Sequence, residues 1–439
     1  MPIDKSNSAS IQTSAAQTPA PSPVQPPAEK ITPAEEASTQ TLKTLGERHW
    51  YLLAAAIAIV TANAYYIHPI IAYVADDFGV SDAMIGMVPA FNQIALALGI
   101  VLLLPLGDRL SNRRLAVAFT LGQFVCIVMM ALGQPFWLFT TASTLLGFFT
   151  IVPYLLPTYL SKRVDPAKLG KATAILTAGV IFGILLARAG AGIIGELYGW
   201  RVIYYIAASL MLLASICLPR LMEDDAPQDE APQDEGSKTY LSLLASLAAI
   251  VRNYPSILLA GLIQALNFGI FLDIWLGLGL YLVDDKMGYG ADTVGVLTLI
   301  TMISLFSTPR LGALADRIGP YRARTYFAIV QLAGVALFLA FGHSLWLLII
   351  PILLTALVGP SIDVTSRMSF LTQPAGIRTR LMSVYIACMF IGGGLISWAA
   401  TFAYDLYGWT GNAGLGLILS IIVLSLSVYS QKMQTRSGQ

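Results

Sequence analysis

Apolar stretches of roughly twenty residues recur from residue 51 to residue 431, separated by short polar or basic segments. Each is long enough to cross a bilayer core of about 30 Å as a helix. The pattern predicts twelve spans, over 51–74, 84–106, 115–133, 137–160, 172–195 and 202–220, then 255–283, 293–313, 324–342, 345–370, 381–405 and 412–431. The expected fold class is an all-α polytopic membrane protein with twelve transmembrane helices in two pseudo-symmetric six-helix bundles, 47–222 and 254–431. Residues 1–46, rich in Ala, Pro, Ser, Thr and Gln, read as a disordered tail without the apolar core of a signal peptide, so the first span directs insertion. Residues 432–439 form a short C-terminal tail.

Between the bundles, 223–253 is an acidic linker whose tandem Ala-Pro-Gln-Asp-Glu repeat is solvated. Its last part, 239–252, is too short to span and is a candidate interfacial helix. With twelve crossings both termini share one side. Alternate loops on that side collect Arg109, Arg113, Arg114, Lys162, Arg163, Lys168, Lys171, Arg317, Arg322, Arg324, Arg378 and Arg380, whereas the other loops hold Arg201 and Lys286. The positive-inside rule then makes the termini and basic loops cytoplasmic.

The two halves repeat one another. Leu106-Gly107-Asp108-Arg109-Leu110 returns 208 residues later as Leu314-Ala315-Asp316-Arg317-Ile318. Lys171 and Arg380, Gly183 and Gly392, and the quartets Leu197-Tyr198-Gly199-Trp200 and Leu406-Tyr407-Gly408-Trp409 repeat at an offset of 209. Two matched bundles of one orientation, joined by a long linker, suit a rocking pair with a solute site between them.

Composition narrows the function. Only 12% of residues are charged and 56% are hydrophobic, with a net charge of +1, which excludes a water-soluble fold and gives no basic footprint for nucleic acid. Cys126, Cys217 and Cys388 sit in apolar stretches and need no disulfide. Gly170-Lys171-Ala172 lacks the hydroxyl and context of a phosphate-cradling loop, which argues against an ATP-driven pump. His49, His68 and His343 fall near helix ends without ligand-spaced partners, so no metal, cofactor or catalytic cluster is expected. A receptor or channel is the remote alternative.

Gly312-Ala313-Leu314-Ala315-Asp316-Arg317-Ile318-Gly319 closely resembles the cytoplasmic motif of the major facilitator superfamily. The first copy is looser, with Leu104 and Ser111 at usual glycine positions and Asn112 at a usual basic one, while Asp108, Arg109, Arg113 and Arg114 are kept. Asn63-Ala64-Tyr65-Tyr66-Ile67-His68-Pro69 and Gly183-Ile184-Leu185-Leu186-Ala187-Arg188 are similar to a bacterial efflux-type branch described as sugar or drug exporters. The resemblance covers 50–431 and implies alternating access with, by analogy, proton antiport. The expected partners are a small-molecule solute, protons and the lipid bilayer, with the chain working as a monomer. Proton-coupled or facilitated uptake of a small metabolite is the second reading. The resemblance also implies that Asp108 meets the start of span 11, near Leu381 to Ser383, and Asp316 the start of span 5, near Ala172 and Thr173, when the cytoplasmic side is closed. Asp108, Arg109, Arg113, Arg114, Asp316, Arg317 and Arg322 are therefore the gating candidates.

Other polar residues lie within the spans. Arg188 falls near the middle of span 5, where a cation costs about 2.5–3.5 kcal/mol on the lenient insertion scale. Gly179, Gly183 and Gly190 lie within about 40° of one another on the opposite side, a stripe suited to close packing. Arg188 then faces inward, to pair with a carboxylate of a neighbouring helix or to meet an anionic or dipolar part of the solute. Asp273 in span 7 is a candidate proton carrier, although it lies about 180° from Gln264 on a regular helix. Gln264, Asn267, Phe268, Phe271 and Trp275 share one face suited to a pocket, and Gly269, Gly277 and Gly279 offer a break in the helix. Asn63, Tyr65 and Tyr66 place polar groups at mid-depth of span 1, facing either a pocket or a packed helix. Asp363 and Arg367, at i and i+4, read as an intrahelical pair. Prolines 69, 153, 157, 309, 351 and 360 are expected to mark kinks.

Overall fold

The computed structural model describes residues 45–108, 110–161, 163–165, 168–223, 250–370, 373 and 375–437. Among them, eleven helical stretches are long and apolar enough to cross a membrane, and the last holds two crossings, because Gly408 (φ 59°, ψ −149°) interrupts the run Ala375–Ser437. The first six crossings are α1 (Glu47–Ala62 and Ile67–Phe78), α2 (Asp82–Ile85 and Met87–Leu103), α3 (Asn112–Leu132), α4 (Phe136–Phe149 and Val152–Ser161), α5 (Leu169–Tyr198) and α6 (Trp200–Leu221). The second six are α7 (Ser256–Tyr281), α8 (Ala291–Ile300 and Ile303–Ile318), α9 (Pro320–Phe341), α10 (Leu345–Met368), and α11 and α12 on either side of Gly408. The 1–44 part of the tail and residues 224–249, including most of the expected interfacial helix, lie outside the described residues.

The repeated Leu-Tyr-Gly-Trp quartets now have a cause. Gly199 (φ 87°) turns α5 into α6 as Gly408 turns α11 into α12, and both conformations are ones that a side chain disfavours. α5 runs beyond its predicted span at both ends, and α12 stays helical to Ser437. The interruption of α8 falls at Thr301–Met302, and Pro309 lies inside its second piece. Pro69 sits in the first turn after the break of α1 at 63–66, where its missing N–H costs nothing.

Each half is tied inside by one amide ladder. Asn63 on α1 donates to Gln123 on α3 at 3.0 Å, and Gln123 donates to the carbonyl of Phe149 on α4 at 3.0 Å. Gln331 on α9 donates to Asn267 on α7 at 2.8 Å, and Asn267 donates to the carbonyl of Gly359 on α10 at 3.1 Å. Within a bilayer such groups have no water to turn to, so pairing fixes how the helices pack.

The halves meet along a seam. A Cβ at Gly192 or Gly295 would strike the backbone of the facing helix, so α5 and the first piece of α8 touch backbone to backbone. Gly279 of α7 lies against His68 and Ile71 of α1, and Gly394 of α11 against Ala90 and Ile94 of α2. All these contacts lie in the half of the helices away from the basic loops. Toward the basic face, the second piece of α8 packs chiefly on α9 and α10 of its own bundle rather than on α5. The bundles are thus closed on one face and parted between α5 and α8 on the other.

Candidate functional site

Arg188 on α5 is 1% exposed and His68, in the first turn of the second piece of α1, is 0% exposed. Gly179 and Gly183 fit against the backbone of Ala54 and Ala58 on α1, which fixes the rotation of α5 and turns Arg188 away from lipid, while Gly190 meets nothing within 4 Å. On the lipid side, Phe182 and Leu186 are exposed. Arg188 Nη2 lies 2.7 Å from His68 Nδ1. The guanidinium carbon stands 4.4 Å from the ring centre of Phe271, 4.9 Å from that of Trp275 and 5.4 Å from that of Tyr65. Phe271 and Trp275 belong to α7, so the cation is enclosed by both bundles.

Arg188 has no carboxylate partner among the described residues, so of its two expected roles the ion pair with a neighbouring helix is not made, and a histidine and three rings surround it instead. Cation–π contacts contribute about 0.5–2 kcal/mol each when desolvated. Three of them are comparable with the insertion cost of an arginine. They stabilise the charge without neutralising it. His68, read from sequence as a helix-end residue of no consequence, is the nearest polar group. Its signal was the break just before it, which buries the first turn of a helix at mid-depth.

The remaining candidates separate into three places. Tyr65 joins the cage, its ring 5.4 Å from that of His68, whereas Tyr66 packs edge-on against Tyr204 of α6 and Asn63 is consumed by the amide ladder. Gln264 and Asn267 do not face the cage. Gln264 accepts from Asn267 at 3.0 Å and donates to Met389 Sδ at 3.3 Å, so the amide part of the expected pocket face is internal to the second bundle. The aromatic part continues along the seam, where Phe268 stacks on Phe271 and touches Phe390 edge-on, and Phe390 meets Tyr154 of α4 across the halves. Gln93 of α2, fully buried with both amide atoms unpaired, is a further polar group that a lone glutamine in an apolar span could have signalled.

Asp273 is 1% exposed and points away from the cage. Its Oδ1 accepts from Asn412 of α12 at 2.7 Å, and its Oδ2 rests against Gly416. α7 is unbroken from Ser256 to Tyr281, so Gly269, Gly277 and Gly279 do not disturb its regularity. Gly269 and Gly277 instead make room for Ile396 and Asn412. Asp363 and Arg367 form the intrahelical pair, at 2.8 Å, and Tyr385 of α11 donates to the same carboxylate at 2.6 Å.

Of the gating candidates, Arg109 and the side chain of Asp108 lie outside the described residues. Arg113 is half-buried, and Arg114, Asp316, Arg317 and Arg322 are exposed. Asp316 does not meet Ala172 or Thr173 here, because α8 leaves α5 on the basic face.

A sequence profile of the Major Facilitator Superfamily matches residues 53–373. An uncharacterized transporter, YgaY, of Escherichia coli O157:H7 is 28% identical over 377 residues, 85% of this chain and 93% of its own length. A probable transporter of Streptomyces coelicolor is 26% identical over 84% of this chain and 85% of its own length. The multidrug resistance protein MdtG of Escherichia coli strain SMS-3-5 is 25% identical over 220 residues, 49% of this chain and 52% of its own. Among solved structures, a peptide transporter POT superposes with a TM-score of 0.70 at 14% identity, over 90% of this chain and 96% of its own. The nucleoside transporter NupG superposes with a TM-score of 0.69 at 13% identity, over 88% of this chain and 99% of its own. At such identities the two structures speak for the fold alone.

Proposed function

This chain belongs to the Major Facilitator Superfamily, and on that premise we propose that it exports a small solute across a bacterial inner membrane by alternating access, in exchange for protons, working as a monomer. Its residence in a membrane and its role in moving a small molecule follow from the family. The observation that carries the finer reading is the seam: bundles in backbone contact on one face, parted between α5 and α8 on the other, with a buried cation held between them. If the basic face is cytoplasmic, this form is shut to the outside and parted toward the inside, with the Arg188 site itself still shielded from water. Export is favoured by the similarity to MdtG, a protein named for multidrug resistance.

The solute site in this reading is the cage of Arg188, His68, Tyr65, Phe271 and Trp275, continued by Phe268 and Phe390. The proton site is Asp273. α7 carries Phe271 and Trp275 against Arg188 and, between them in sequence, Asp273 against α12, so one rigid helix touches both sites on opposite faces. Asp108, Arg109, Arg113, Arg114, Asp316, Arg317 and Arg322 hold the basic face shut in the alternate form.

The test is a solute screen on the full chain in vesicles with an acidic lumen and an entrapped pH dye. A transported solute raises lumenal pH at a rate that saturates with its concentration. A rate linear in concentration, or uptake of a solute with no accompanying proton movement, contradicts proton-coupled exchange.

A further inference from the structure

We propose that the solute is an organic monoanion, a carboxylate with an aromatic or apolar body, bound by the Arg188–His68 pair. The proposal deepens the transporter reading and rests on it for the word solute, but not for the site itself.

The hydrogen-bonding groups of the pair are donors that call for an acceptor. A guanidinium only donates, so the 2.7 Å contact makes His68 Nδ1 the acceptor and leaves the ring proton on Nε2. The pair therefore presents donors and no free acceptor. Two of those donors, Arg188 Nε–H and His68 Nε2–H, are buried and bonded to nothing. A buried donor without an acceptor is costly, and a guanidinium fork matches the two oxygens of a carboxylate. The charge points the same way, since Arg188 meets no carboxylate among the described residues, and a solute supplying one cancels the charge and satisfies donors at once. A cationic solute would add a second positive charge to a dehydrated site.

The body of the solute is read from the surroundings. The ring faces of Phe271 and Trp275 flank the guanidinium, and Phe268, stacked on Phe271, extends the apolar wall toward Phe390. An apolar or aromatic group attached to the carboxylate would lie against these rings. An anion is compatible with proton exchange, because an anion leaving and a proton entering both move charge in the direction that an inside-negative potential favours. Keeping the proton at Asp273, on the far face of α7, also avoids the attraction that would make proton and anion travel together.

The experiment uses the purified full chain in detergent, with benzoate and phenylacetate as probes and benzamide and tetraphenylphosphonium as neutral and cationic controls, read by thermal unfolding. The carboxylates are expected to raise the unfolding temperature and the controls are not. Arg188→Gln is expected to weaken carboxylate binding about tenfold to a hundredfold, the worth of a charge-assisted hydrogen bond. Arg188→Lys, which keeps the charge and loses the fork, guards against a variant that merely fails to fold, and it is expected to lose part of the shift. Equal shifts with benzamide or tetraphenylphosphonium, no shift with either carboxylate, or a carboxylate shift that survives in Arg188→Gln would overturn the proposal. Carboxylate binding that depends on Arg188 without any vesicle flux would leave the anion site standing and sink the transport reading instead.

Discussion

The carboxylate of Glu196, near the end of α5, accepts the backbone N–H of Ala291, the first residue of α8, at 2.9 Å. Tyr73 of α1 donates to the same oxygen. A carboxylate of one bundle thus caps a helix of the other, where unpaired amides and the positive end of the dipole favour it by about 0.3–1 kcal/mol at an exposed site. The contact closes the face away from the basic loops. Because the bond exists only when that face is shut, Glu196→Gln should shift the balance about twofold to fivefold toward the form opened there. Labelling of a cysteine placed at Asp292 checks this from outside, and an unchanged labelling rate would mean that Glu196 is a bystander.

The matched amide ladders should matter equally. Gln331→Leu takes the donor from the side-chain oxygen of Asn267, and Gln123→Leu takes the acceptor from the side-chain N–H of Asn63, each leaving one buried polar atom unpaired at a cost of about 1–3 kcal/mol. Both variants should unfold at lower temperature in detergent, by similar amounts. Wild-type melting in either one would show that the repeat of these bonds carries no stability.

Much of the architecture was legible because it depends on local pattern. Span length and loop charge gave the helix count, and the Leu-Tyr-Gly-Trp quartets flagged turns that need Gly199 and Gly408. Arg188 stood out because a cation in an apolar span is expensive wherever it points. Its partner did not, since the Arg188–His68 contact joins residues 120 apart and is decided by where α1 breaks. The amide and aromatic face of α7 looked like one surface on a helical wheel. It is divided in space, because Gln331 and Gly359 of two other helices claim Asn267 while Arg188 claims Phe271 and Trp275. Glycine spacing likewise marked Gly179 and Gly183 correctly, but only the neighbouring backbone shows that Gly190 is not part of the contact and Gly192 is.

Asp273→Asn removes the titrating proton while Asn412 can still hydrogen-bond the side chain and the backbone carbonyl of residue 273. The variant should fold, bind solute and exchange labelled for unlabelled solute, yet fail to accumulate it against a gradient when a pH difference is imposed. Undiminished pH-driven accumulation would remove Asp273 from the coupling step.

Topology can be read with reporters fused after residues 46, 230 and 435, all expected on the cytoplasmic side, and within 284–290, expected outside. If the tail and the central linker report opposite sides, an odd number of crossings separates them and the two-bundle arrangement fails.

The alternation of the two bundles is tested most directly by the distance between spin labels at Thr173, at the basic end of α5, and Leu314, at that end of α8, with Cys126, Cys217 and Cys388 replaced by alanine. The account predicts two distance populations, the longer being the form described here and the shorter the one in which Asp316 reaches the start of α5. Asp316→Asn should deplete the shorter population about twofold to thirtyfold, as a lost contact with a helix N-terminus of about 0.3–2 kcal/mol requires. A single distance, unmoved by pH, by solute and by Asp316→Asn, would contradict alternating access in this protein.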